Sequence, residues 1–176
     1  MTIFERINTL LLNDNQSYHC NMKQRIYLDT SVIGGAFDAE FKKITIQLFE
    51  MANEKKFTLV ISSLTLSELD LAPPHIKVFF NKLDNSNIEL ISSSEESKSL
   101  ANNYIAENVV GVTSFDDCHH IAIATISKVD ILVSWNFKHI VNVFRIRGYN
   151  SVNLKIGYSP IEIRSPKDII DYEAGK

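Results

Sequence analysis

From residue 25 onward the chain alternates short apolar runs with stretches in which apolar residues recur every three or four positions. That is the pattern of parallel strands joined by crossover helices. Strands are expected at 25–29, 57–62, 87–91, 130–134 and about 152–163. A helix over 39–53 would put Phe41, Ile44, Thr45, Leu48 and Ala52 on one face, and a second from Pro74 would do the same with Ile76, Phe79, Phe80 and Leu83. Both stripes read as sheet-facing core. Helix starts carry capping signals at Thr65-Leu-Ser-Glu68, Ser93-Ser-Glu-Glu96, Ser114-Phe-Asp-Asp117 and Ser165-Pro-Lys-Asp168. Gly148 is expected to close a helix over 137–147, and Pro73-Pro74 to turn one helix into the next.

With 176 residues and 45% hydrophobic content the chain can bury one substantial core. Residues 1–21 show no clean period and give way abruptly to Met22-Lys-Gln-Arg25, so they read as an extension to a domain spanning 22–176. Two readings of the extension stand side by side: translation that begins at Met22, or a short tail helix packed on the domain. A formal net charge of −3 removes bulk attraction as an argument for nucleic-acid binding. Any such contact must come from a local basic strip or from metal ions. No apolar run approaches the ~20 residues of a membrane span, and the N-terminus has no secretory pattern, so a soluble cytoplasmic protein is expected. Cys20 and Cys118 are too few for a disulfide framework and read as thiols. Cys118-His119-His120 has no second ligand pair at zinc-finger spacing.

Asp29 ends the run Arg25-Ile-Tyr-Leu-Asp-Thr-Ser31, an apolar strand passing into a polar turn. Ligands of open α/β sheets gather outside the carboxyl ends of the strands, so a carboxylate there faces the crevice. Alternatively, Asp29 is the Asx residue of a turn with Thr30 and Ser31. Glu68 is expected in the first turn after the second strand, and Asp117 in the first turn of the helix before the fourth. An acid in a first helical turn also satisfies free N–H groups and complements the macrodipole. Two carboxylates ~5 Å apart repel by roughly 3 kcal/mol at an effective dielectric of about 20, so three converging acids call for a cation. Hard oxygen ligands favour Mg²⁺ or Mn²⁺ over zinc. Such an ion suits phosphodiester hydrolysis.

These residues resemble the PIN-domain ribonucleases, including the VapC-like toxins of type II toxin–antitoxin systems. Tyr27-Leu-Asp-Thr-Ser31 is similar to the family's opening strand and Asp-Thr-Ser motif, and Ile61-Ser-Ser-Leu-Thr-Leu-Ser-Glu-Leu69 to its second block. Asp116-Asp-Cys-His-His-Ile-Ala-Ile-Ala124 resembles the third, in which an Asp precedes a His by three residues, selecting Asp117. The resemblance runs from about residue 25 to 145. It implies a three-layer α/β/α fold with a mostly parallel five-stranded sheet, acids ringing one pocket, Mg²⁺ or Mn²⁺ dependence, endoribonuclease activity in homodimers, and a cognate antitoxin that blocks the site. Asp29, Glu68 and Asp117 are then the expected metal ligands, with Asn136 as a fourth catalytic position. In the fourth block, Ile131-Leu-Val-Ser-Trp-Asn-Phe-Lys138, Asn136 stands where the family often has an acid. An amide adds no negative charge, so one ion is easier to hold than two; Asn136 equally suits a turn after the strand.

Thr30, Ser31 and Ser134 are hydroxyl candidates for water or phosphate contact. His120 shares a helix face with Asp117 and reads as its supporting partner. Trp135 suits either the core or a stacked base. Lys42, Lys43, Lys138, His139, Arg145 and Arg147 are candidates for contact with an RNA backbone. Two rivals to the ribonuclease reading exist: an aspartyl-phosphate phosphatase, which Ser31 argues against because that chemistry wants a second Asp there, and a catalytically silent PIN-like module that binds RNA or a protein partner.

Overall fold

The computed structural model describes residues 23–174. Both readings of the 1–21 extension lie outside the described residues. Five short strands, β1 (Arg25–Leu28), β2 (Thr58–Ser62), β3 (Ile88–Ile91), β4 (Ile131–Val133) and β5 (Glu162–Arg164), pair in the order β3-β2-β1-β4-β5. Every pair is parallel, with Ile26 opposite both Leu59 and Ile131. Parallel strands buried on both faces read as continuous apolar runs, which is why the first four were visible in the sequence.

The period of two along a strand sends Ile26 and Leu28 to one face of the sheet and Tyr27 to the other. On the first face pack α1 (Thr30–Gly35), α2 (Lys42–Asn53), α3 (Ser63–Leu71), α4 (Pro74–Asn81) and α8 (Pro166–Ala174). On the second pack α5 (Glu95–Ala106), α6 (Phe115–Ile126) and α7 (Val143–Ile156). The result is the expected α/β/α sandwich. The chain steps outward from β1 to β2 to β3, then returns to lay β4 on the other side of β1. The strand order therefore reverses between β1 and β4, and the crevice outside their carboxyl ends is where such folds take ligands.

Several boundaries differ from the sequence reading. The strand expected at about 152–163 is mostly helix: α7 runs to Ile156, and β5 occupies only Glu162–Arg164. Val152, Leu154 and Ile156 alternate like a strand, yet only Val152 is buried. The helix placed at 137–147 starts at Val143 instead, where the Asn142 side chain accepts from the amides of Phe144 and Arg145. Gly148 lies inside that helix rather than closing it. Its role is contact, since a Cβ there would lie 2.7 Å from Val109 Cγ1. Gly157, at φ 98°, is the actual C-cap.

Helix α3 begins at Ser63, one turn earlier than expected, because the Ser62 hydroxyl accepts from Thr65 N at 3.1 Å. Thr65 is thus not the cap, and Glu68 falls in the second turn. Ser94, not Ser93, caps α5, in a reciprocal pair with Ser97. The Ser165–Asp168 capping box forms as expected. Ser114 precedes α6 without a capping bond, its hydroxyl lying 3.3 Å from His139 Nδ1. The helix expected over 39–53 starts at Lys42.

Candidate active site

Asp29 leaves the carboxyl end of β1 and is 5% exposed. It occupies the N-cap position of α1 yet makes no side-chain capping bond. Its two oxygens go instead to two serines: Ser31 Oγ donates to Oδ1 at 2.6 Å and Ser134 Oγ to Oδ2 at 2.8 Å. Each serine is aimed by a backbone amide, Trp135 N onto Ser31 and Asn136 N onto Ser134. Ser134 follows β4, so this clamp closes over the β1–β4 reversal point. Burial raises the Asp29 carboxyl above its ordinary range, against the charge of His120 and the two hydroxyls, which act to lower it.

Glu68 is half-buried on α3. Thr30 Oγ1 donates to its Oε2, and His120 Nε2 lies 3.0 Å from the same oxygen. Burial acts to raise this carboxyl, but the hydrogen bond and charge of His120, with the Thr30 hydroxyl, hold it below its ordinary range. His120 is buried on α6, and its other ring nitrogen, Nδ1, lies 2.6 Å from the Tyr27 hydroxyl. That phenolic oxygen is 2.7 Å from Ser62 Oγ. Burial keeps Tyr27 protonated well above the ordinary phenol range.

Asp117, in the first turn of α6, accepts from Asn136 Nδ2 at 2.8 Å. Burial raises its carboxyl too, with His139 and His120 acting the other way. The amide oxygen of Asn136 accepts from His139 N at 3.0 Å, the turn use foreseen for it. Both ends of Asn136 are therefore engaged within the protein.

The sequence-predicted residues do come to one region. Asp29, Glu68 and Asp117 come from three separate elements and enter one polar cluster: Ser134 and Asn136 connect Asp29 to Asp117, while Thr30, next to Asp29, and His120, on the same helix as Asp117, both bond Glu68. Their chemistry suits a hard divalent cation, since burial raises the carboxyls of Asp29 and Asp117 and a bound cation would offset that. However, among the described residues no three His, Cys, Asp or Glu side chains are grouped to hold an ion as they stand. Trp135 belongs to the core: its ring stacks on Phe41 at 4.3 Å, and Nε1 donates to Thr45 at 2.9 Å. Lys42, Lys43, Lys138 and Arg147 are exposed, while His139 and Arg145 are half-buried. Cys118 is a buried free thiol. A cleft of about 490 Å³ lies at the other end of the strands, lined by Gln24, Asp130 and Glu162, away from the acids.

Sequence reasoning missed Tyr27, Ser62, Thr65 and His119. A phenol inside an otherwise aliphatic strand, two residues before Asp29, was the available signal for Tyr27. His119 is held at Nε2 by Ser93 and Ser97, at 2.9 and 3.0 Å, tying α6 to the start of α5.

A buried carboxylate at the reversal point of a five-stranded parallel sheet, with two further acids in the same polar cluster, defines a class of protein. The sequence profile of the PIN domain matches residues 25–138, more than half of the chain, so the chain belongs to the PIN-domain family. Three of the solved structures that share the fold illustrate the likeness. VapBC2 from Rickettsia felis, bound to a DNA fragment from its promoter, aligns with a TM-score of 0.51 at 17% identity over 81% of this chain and 98% of that one. VapC20 of Mycobacterium tuberculosis, described as a sarcin–ricin loop cleaving toxin, aligns at 0.51 and 13% over 64% and 91%. FitAcB from Neisseria gonorrhoeae aligns at 0.50 and 14% over 80% and 97%. At these identities the likeness is one of fold. No curated protein sequence matches the chain. Among the described residues no helix is long and apolar enough to cross a membrane.

Proposed function

We propose that the chain is a metal-dependent endoribonuclease, the toxin of a type II toxin–antitoxin pair, acting as a homodimer in the cytoplasm. The observation that supports this reading is the set of Asp29, Glu68 and Asp117, held from three elements by one cluster of hydrogen bonds at the sheet's reversal point. These three carboxylates would hold Mg²⁺ or Mn²⁺, with Asn136 fixing Asp117. Once bound, the ion supplies charge neutralisation at the scissile phosphate and a hydroxide-like water. The protein's own residues do the rest. Ser31 and Ser134 keep both oxygens of Asp29 in place, Asn136 holds one oxygen of Asp117, and exposed Lys42, Lys43 and Lys138 offer phosphate contacts. An antitoxin partner is supported by the toxin–antitoxin complexes among the similar folds, and residues 1–21 are assigned to an extension of a 22–176 domain.

Incubating the full chain with structured and unstructured RNA in Mg²⁺, Mn²⁺ or EDTA, beside Asp29→Ala and Asp117→Ala, tests this. Cleavage should require the ion and vanish in both variants. Cleavage indifferent to EDTA and to both substitutions sinks the reading. The second reading, a silent module that binds RNA or a protein, is favoured by the engagement of both ends of the Asn136 amide within the protein and by the lack of a three-ligand group among the described residues. It predicts RNA retention on a filter without cleavage in either metal.

A further inference from the structure

A carboxylate only accepts hydrogen bonds, so the His120 Nε2 facing Glu68 Oε2 at 3.0 Å carries its proton whether the ring is neutral or charged. In the neutral ring Nδ1 then needs a donor, and the group that stands there is the Tyr27 hydroxyl at 2.6 Å. Tyr27 has one proton to give. The lone pairs of its oxygen face Ser62 Oγ at 2.7 Å, and Ser62 in turn accepts from Thr65 N at 3.1 Å. With the ring neutral, donors run one way from Tyr27 through His120 to Glu68, while Ser62 Oγ accepts from the Thr65 amide and lies within reach of both the Tyr27 oxygen and Thr65 Oγ1, at 2.7 and 3.1 Å. Tyr27, Ser62, Thr65 and His120 are all buried, and the Tyr27 and His120 rings meet edge-on at 5.8 Å, so no water competes for these groups. Thr30 donates to the same Oε2. Among the described residues Glu68 Oε1 has no hydrogen-bond partner.

We propose that Tyr27 is a positioning residue that sets the proton of His120 and, through it, pins Glu68 by one oxygen while leaving the other free for a cation. This rests on the ribonuclease reading above. It also gives the β2–α3 turn a part in the site: Ser62, the cap of α3, lies within reach of the Tyr27 oxygen.

Phenylalanine fills the Tyr27 site with the same ring, so Tyr27→Phe tests the hydroxyl alone. In full-length metal-free protein labelled with ¹⁵N at histidine, with His120 assigned by its loss in His120→Gln, Nδ1 should appear as an unprotonated acceptor and Nε2 as protonated. Tyr27→Phe should move the Nδ1 signal toward that of an unbonded nitrogen. Titration with Mn²⁺ should then show His120→Ala weakened by about tenfold or more, as for other residues behind metal ligands. Tyr27→Phe should show a smaller loss, and His120→Gln, which returns an N–H near Nε2, should recover part of the affinity. An unmoved Nδ1 signal in Tyr27→Phe, or wild-type Mn²⁺ affinity in folded His120→Ala, overturns the role of Tyr27 alone. A wild-type chain that neither binds Mn²⁺ nor cleaves RNA removes the ribonuclease reading and this role together.

Discussion

The two faces of the sheet are packed by different chemistry. The face covered by α1–α4 and α8 is built from Ile, Leu, Val, Met and Phe, with the stacked Trp135 at its edge. The face covered by α5–α7 contains three buried tyrosines, Tyr27, Tyr104 and Tyr149, and the thiol of Cys118. Each tyrosine reaches a polar partner: Tyr27 the His120 ring, Tyr104 the Asn153 side chain at 2.6 Å, and Tyr149 the carbonyl of His139 at 2.8 Å. One layer supplies burial without direction; the other ties its burial to particular partners, two of them beside the acids. Polar groups in a core raise the stakes of every substitution, because a missing partner costs more than a missing contact.

The largest expected effect lies on the aliphatic face. Phe49→Ala should destabilise by about 3–5 kcal/mol, read as a lower denaturant midpoint, with activity per folded molecule unchanged. An activity loss larger than the unfolded fraction would break the contrast between the faces. Next, Tyr104→Phe removes no ring volume but strands the Asn153 oxygen, at about 1–3 kcal/mol; a neutral result in thermal melts would show that this tyrosine layer is packing after all.

The acids should respond to pH with opposite signs. The Asp29 carboxyl is raised on folding, so the folded chain holds that proton to higher pH than the unfolded one, and stability falls as pH rises through the raised value. Asp29→Asn should therefore melt above the parent at pH 7 in EDTA, with the gap closing as the pH drops toward the unfolded-state value. The Glu68 carboxyl is lowered, so its contribution is present above the unfolded value and lost as pH falls through the folded one. Glu68→Gln should melt below the parent at neutral pH and converge on it in acid. Melts across pH 3–8 that shift both variants the same way would refute the assignment. The smallest effect belongs to the exposed rim: Glu89→Gln, which loosens the two-pronged contact of Arg25 with Glu89 at 2.6 and 2.8 Å, should cost no more than about 1 kcal/mol.

The sheet and its acids were legible because their signals are local. Apolar runs gave β1 to β4, an acid at a strand end gave Asp29, and acids near helix starts gave Glu68 and Asp117. What escaped was non-local or unconventional. Tyr27 meets its partners 35 and 93 residues away, and nothing in a strand's own sequence reports them. Helices α2, α5 and α6 turn off at Lys55, Asn108 and Lys128, each in the left-handed region without being glycine. The two lysines adopt that conformation at about 1–2 kcal/mol and carry no stop signal, whereas Asn108 is a residue that takes it up readily. The surface apolar residues Leu154 and Ile156 imitated a strand because an exposed leucine is ordinary.

β1 is the middle strand of the sheet and, of the five described strands, the first to be made. Its edge toward β2 is filled once residue 62 has been synthesised, but the edge toward β4 stays bare until residue 133 has cleared the ribosome. Through that interval a nascent chain carries an open apolar strand edge able to pair with a neighbouring chain. The pace of translation across the two intervening crossovers thus sets how long each molecule runs the risk of clumping before it can close.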